Sequence, residues 1–78
     1  MKGQILPLSM VRPRKSVTLV AITAGRGLRA RLTDMGLTAG VRFRVIQTHR
    51  PGACIIAINN ARLVLGYGMA QKIMVREE

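Results

Sequence analysis

The sequence predicts a mainly β fold, a small and strongly bent SH3-like or OB-like barrel of about five strands with one short α-helix at about residues 27–35. Three observations lead there. The chain has 78 residues, so residues 1–78 are read as a single domain sharing one core, and a chain this short buries only about 60–65% of its unfolded surface. Its apolar residues fall in runs of strand length, each closed by turn residues. Helical spacing occurs once.

The elements follow in order. Ile5–Leu8 is a short apolar opening segment, and Val11-Arg12-Pro13-Arg14-Lys15 a charged turn around a proline. Ser16–Thr23 is rich in β-branched residues and reads as a strand. Both of its faces are apolar, Val17, Leu19 and Ala21 on one and Val20 and Ile22 on the other, which predicts a buried or sharply bent strand. After the loop Ala24-Gly25-Arg26-Gly27, Leu28, Leu32 and Met35 fall at i, i+4 and i+7, one stripe of a helix. Gly36 can close that helix in a left-handed conformation. The helix has only two or three turns and needs a sheet to dock on, so Leu28, Leu32, Met35 and Leu37 are expected in the core.

In Val41–Thr48, inward Val41, Phe43 and Val45 alternate with outward Arg42 and Arg44. Ile46 breaks the alternation, which predicts a bulge. His49-Arg50-Pro51-Gly52 has the Pro-Gly order of a type II turn. Cys54–Asn59 returns as a strand, and Asn59-Asn60 makes a second tight turn because Asn tolerates positive φ. Ala61, Leu63 and Leu65 then face one way, Arg62 and Val64 the other. Residues 66–71 read as a single helical turn, and Lys72–Arg76 as the last strand with Ile73 and Val75 inward.

Composition excludes much chemistry. The carboxylates are Asp34, Glu77 and Glu78 alone, too few for carboxylate acid–base catalysis or an oxygen-ligand cation cage. No nucleophile elbow surrounds Ser9 or Ser16, and Gly25-Arg26-Gly27 is too short for a phosphate loop. No catalytic residue and no cofactor is expected. A structural zinc site needs about four nitrogen or sulfur ligands; His49 and Cys54 supply two, enough for a metal bridged across a dimer at most. Otherwise His49 is a solvated turn residue and Cys54 a small core hydrophobe. The single cysteine excludes an internal disulfide and fits a reducing compartment. No stretch reaches membrane-helix length, and Pro7, Arg12 and Pro13 interrupt any signal-peptide core. A soluble cytoplasmic protein is expected.

Charge is the strongest global signal. Thirteen Lys and Arg against three Asp and Glu give +10, and an arginine-rich surface expects an acidic partner: protein, nucleic acid or anionic lipid. Barrels that bind single strands stack bases on several aromatic rings. Here Phe43 and Tyr67 stand alone, with Phe43 inward, so the stacking platform is missing and nucleic acid is disfavoured. A nucleic-acid barrel using phosphate contacts alone, with steep salt dependence, and a metal-bridged dimer remain as alternatives.

The stretch Ala24-Gly25-Arg26-Gly27-Leu28-Arg29-Ala30-Arg31-Leu32-Thr33-Asp34-Met35-Gly36-Leu37-Thr38-Ala39-Gly40, with the strand after it, resembles the signature of the FeoA proteins of bacterial ferrous iron transport. Those proteins read a Gly-rich loop, Arg-Leu, two variable residues, Leu/Met-Gly-Leu/Ile and a short turn ending in Gly. The resemblance runs from about Leu8 to Arg76. Two positions depart from it: Ala39 stands where Pro is usual, and Pro13-Arg14-Lys15 where Pro-Gly is common. The resemblance implies an SH3-like barrel, similar also to the C-terminal domain of iron-dependent repressors. It further implies an accessory protein acting on the cytoplasmic GTPase region of the FeoB-type ferrous iron permease, at the inner face of the membrane; the residues themselves, with no metal site and no catalytic set, predict an interaction module that does not hold iron. Arg29, Arg31, Arg42, Arg44 and Arg62 are the expected contact residues.

Overall fold

The computed structural model of the chain describes residues 3–49 and 52–78. Six antiparallel strands form one curved sheet in the order β1-β6-β2-β3-β4-β5. They are β1 (Ile5–Pro7), β2 (Ser16–Ile22), β3 (Arg42–Thr48), β4 (Cys54–Ile58), β5 (Ala61–Leu65) and β6 (Ile73–Glu77). A 3-10 turn (Leu8–Met10) follows β1, helix α1 (Arg26–Asp34) joins β2 to β3, and the one-turn helix α2 (Tyr67–Ala70) joins β5 to β6. The sixth strand beyond the expected five is β1, whose three residues pair with Met74–Arg76 of β6. A segment this short, ending in Pro7, carries no alternation that a sequence reading could detect.

Alternation decides which side of each strand is buried. Val17, Leu19, Phe43, Val45, Cys54, Ile56, Ile58, Leu65, Ile73 and Val75 are buried on the inner face. Leu8, Val11, Leu32, Leu37 and Ala70, from the 3-10 turn, the two helices and the loops, complete the core. Thr48 ties the first loop to β3, its hydroxyl donating to the Val11 carbonyl at 2.9 Å.

Two irregularities bend the sheet. Register shifts between Leu19 and Ala21 in the β2–β6 ladder and between Val45 and Gln47 in the β3–β4 ladder. The extra residues are Val20, where the two-sided apolar pattern predicts a bend, and Ile46, where the broken alternation predicts a bulge; such insertions raise local twist and re-aim the strand. The Asn59-Asn60 turn is tight, with φ of 51° and 64°, the two left-handed positions of a type I′ hairpin. The expected turn at His49-Arg50-Pro51-Gly52 includes Arg50 and Pro51, which lie outside the described residues; around it, the His49 N–H donates to the Ala53 carbonyl at 3.2 Å.

Helix α1 ends in a Schellman motif. The Leu37 N–H donates to the Leu32 carbonyl and the Gly36 N–H to the Thr33 carbonyl, both at 2.9 Å, with Gly36 at φ 98°. Leu37 and Leu32 are both fully buried, the apolar contact that accompanies this cap. The expectation that Met35 belongs to the core is corrected here. Met35 is the C-cap, at φ −87° and ψ 2°, and is 42% exposed. The helix stops one residue before it, so the i+7 position is not on the docked stripe, and Leu37 fills the core instead. Leu32 is buried as expected, and Leu28 packs against the core half-buried.

Candidate partner-binding face

The outer face of the sheet gathers the strand arginines. In-register residues on neighbouring antiparallel strands point to the same side. Arg44 pairs with Ala57 and Ala57 with Arg62, so Arg62, Ala57 and Arg44 form one row across β5, β4 and β3. Ser16 of β2 extends the row from Arg44. The neighbouring row holds Arg42 of β3, Thr18 of β2 and Arg76 of β6. Two interstrand spacings put the Arg44 and Arg62 backbones roughly 10 Å apart, and two strand residues put Arg42 and Arg44 roughly 7 Å apart. Ala57 between them leaves a shallow floor, and a groove of about 430 Å³ is lined by Ser16, Arg42, Phe43, Arg44 and Ala57.

One carboxylate meets this face. The Glu78 N–H donates to the Ser16 carbonyl at 3.0 Å, extending the β6 pairing by a residue and placing Glu78 beside the arginine rows. Arg42 Nη2 donates to Glu78 Oε1 at 3.2 Å, and the Thr18 hydroxyl donates to Glu78 Oε2. This is the one ion pair among the described residues, and it is solvent-accessible on both sides, so it adds little to stability. Arg44 and Arg62 have no hydrogen-bond or ion-pair partner among the described residues.

The helix arginines lie on α1, outside these strand rows. Arg29 lines a second groove of about 420 Å³ with Thr33, the bulged stretch of β2 from Leu19 to Ile22, and Leu37, Thr38 and Ala39. Arg31, two residues on, is rotated by about 200° around the helix and is exposed. The five arginines expected to form a contact face thus divide into one group of three, Arg42, Arg44 and Arg62, and two separate side chains. Sequence reading missed Thr18, Arg76 and Glu78 as members of the face. Outward alternation of Arg76 against Ile73 and Val75 was a usable signal for it; Thr18 and Glu78 come to the face through strand register, which a single sequence does not display.

The weak metal candidates do not come together as a site. His49 is exposed, whereas Cys54 is 1% exposed in the core. Burial pushes the Cys54 thiol above its usual 9.0, against a smaller opposing effect of a hydrogen bond with Thr48. Among the described residues no three His, Cys, Asp or Glu side chains cluster, and no helix is long and apolar enough to cross a membrane.

Comparison with known proteins agrees with the architecture. The FeoA domain family model matches residues 6–77. A Methanocaldococcus jannaschii protein named for Fe(2+) transport, transport protein A, is 34% identical over 71 residues, covering 91% of this chain and 85% of that protein. The crystal structure of an iron uptake regulatory protein, FeoA, superposes with a TM-score of 0.89 at 35% identity over 96% of this chain and all of the other. A manganese-dependent transcriptional repressor shares the fold at a TM-score of 0.86 and 24% identity, this chain matching 43% of its length. With a family model spanning nearly the whole chain and a relative above 30% identity, the six-stranded SH3-like barrel described here belongs to the FeoA family of ferrous iron transport.

Proposed function

We propose that the chain is a non-catalytic accessory of ferrous iron uptake, working in the cytoplasm by docking its outer sheet face onto the cytoplasmic GTPase region of an FeoB-type permease. The observation that carries this reading is the grouping of Arg42, Arg44 and Arg62 in adjoining rows of the outer face, with Arg44 and Arg62 lacking a partner among the described residues. Desolvating charge on a partner is favourable only where opposite charge is supplied, and forked guanidiniums supply it to carboxylates in two parallel hydrogen bonds. The barrel contributes rigidity. Five of its six strands hold the face in fixed register, so little side-chain ordering beyond the arginines themselves opposes binding. The net charge of +10 adds long-range attraction, to an acidic permease surface and to the anionic inner leaflet beside it. Arg29 and Arg31 contribute to capture through this general attraction.

The test is capture of the permease's purified cytoplasmic region by the immobilised chain. Reversal of the pair, Arg44→Glu with Arg62→Glu, is expected to lower recovery at least tenfold while the circular dichroism spectrum stays unchanged. Arg31→Glu alone is expected to lower it by less than threefold. Undiminished recovery with Arg44 and Arg62 reversed would overturn the assignment.

A further inference from the structure

We infer that the arginine face takes an extended acidic peptide segment, and that Glu78 is a built-in competitor that occupies part of this site until the segment displaces it. The inference rests on the reading that this face docks a protein partner and names the chemistry that partner presents.

Glu78 shows what the face accepts. Its carboxylate is held by both oxygens, one by the Arg42 guanidinium and the other by the Thr18 hydroxyl. Its backbone N–H continues the β6–β2 pairing by one residue through the bond to the Ser16 carbonyl. The bound group is therefore a planar carboxylate carried on strand-like backbone, which is the chemistry of an acidic peptide rather than of a phosphodiester chain. The occupation is partial. Ser16, the backbone partner of Glu78, is in turn the register partner of Arg44, and the row continues through Ala57 to Arg62. Arg44 and Arg62 thus flank an alanine floor, and Arg44 lines the same groove as Arg42. Alternate carboxylates on an extended chain lie roughly 7 Å apart on one side, within reach of both long guanidinium side chains. A second acidic residue next to one bound at Arg42 completes the set.

The hold on Glu78 is loose enough to exchange. The Arg42 side chain is 70% exposed and that of Glu78 36%, so the pair sits in high dielectric where ion pairs contribute little. An internal occupant of that strength lowers the apparent affinity for an external one by roughly two- to six-fold. Glu78 therefore lowers the affinity of every acidic segment by the same modest factor, and segments with two or more spaced carboxylates, which also reach Arg44 and Arg62, bind best.

The experiment uses the full chain and fluorescein-labelled hexaglutamate, followed by anisotropy at low salt, with oligothymidylate and phosphatidylserine vesicles as the other probes. The wild-type chain is expected to bind hexaglutamate. Glu78→Gln, which keeps size and backbone pairing, is expected to tighten binding roughly two- to six-fold. Arg44→Ala with Arg62→Ala is expected to weaken it at least tenfold, and Arg29→Ala with Arg31→Ala by less than threefold. No binding of hexaglutamate, an unchanged affinity in Glu78→Gln, or tightening by that variant toward oligothymidylate or vesicles but not the peptide would each overturn the inference. Capture of the permease region that persists while hexaglutamate fails to bind would overturn this inference and leave the docking reading intact. Loss of that capture by the wild-type chain, with hexaglutamate bound as expected, would do the reverse.

Discussion

Replacement of Gly36 by alanine tests the cap that ends helix α1. Gly36 sits at φ 98°, where an L side chain is strained and the conformational cost of a Cβ is about 1 kcal/mol. A Cβ built there would also lie 3.0 Å from Asn59 Nδ2 and 3.9 Å from Ile58 Cδ1. The Asn59 side chain is exposed and can swing aside, so the steric part adds a few tenths of a kcal/mol at least. If the amide cannot move without disturbing the Asn59-Asn60 turn, the total approaches about 2 kcal/mol. Gly40→Ala is the control. Gly40 has a similar φ of 91°, but no atom lies within 4 Å of its would-be Cβ, so its cost is conformational alone, about 1 kcal/mol. For a domain of this size each kcal/mol moves the midpoint by about 4–8 °C. Thermal unfolding followed by circular dichroism is thus expected to fall by roughly 5–15 °C for Gly36→Ala and by less for Gly40→Ala. A Gly36→Ala protein that melts with the wild type, or a Gly40→Ala protein that melts below Gly36→Ala, would refute both the cap and its contact with the β4–β5 hairpin.

Two further outcomes follow from local chemistry. Arg14 is held at φ 72° by its N–H donating to the Val45 carbonyl at 2.6 Å. Relief of about 1–2 kcal/mol of left-handed strain against about 0.5–1 kcal/mol of added chain entropy makes Arg14→Gly a net stabiliser by about 0.5–1 kcal/mol in urea unfolding; a lower midpoint would contradict the strain. Cys54 has its thiol raised above 9.0 in the folded chain by burial, so the unfolded chain loses that proton first. Stability attributable to this group is complete below pH 9 and declines as pH rises beyond it. Urea midpoints measured from pH 8 to 10.5 are expected to drop more steeply for the wild type than for Cys54→Ala, and parallel slopes would refute the burial argument.

How much was legible in the sequence follows from the range of the forces involved. Alternation and turn chemistry act over a few residues, so β2 to β6, the bulge at Ile46, the Asn59-Asn60 turn and the Gly36 cap could all be read directly. Met35 was misread because helix periodicity says which face a residue would occupy, not whether the helix lasts long enough to reach it; the cap at Gly36 places Met35 outside the stripe and hands its core position to Leu37. β1 escaped because three residues ending in proline carry no period, and their pairing with β6 is a contact between opposite parts of the chain. The candidate face was half legible. Outward Arg42, Arg44 and Arg62 follow from alternation on their own strands. That they fall in adjoining rows with Ala57 between, that Arg76 joins them, and that Glu78 bridges to Arg42 over Thr18, are facts of register between strands. Grouping Arg29 and Arg31 with them treated charge as one surface, whereas helix geometry turns those two side chains about 200° apart.

Iron uptake by cells tests the central claim, that this barrel acts through its arginine face. In cells lacking their own copy of the chain, anaerobic uptake of labelled ferrous iron is measured after restoring either the wild type or the variant carrying both Arg44→Glu and Arg62→Glu, at matched protein levels. The variant is expected to leave uptake at the level of cells with no copy at all, while the wild type restores it. Full restoration by the doubly reversed variant would contradict the account.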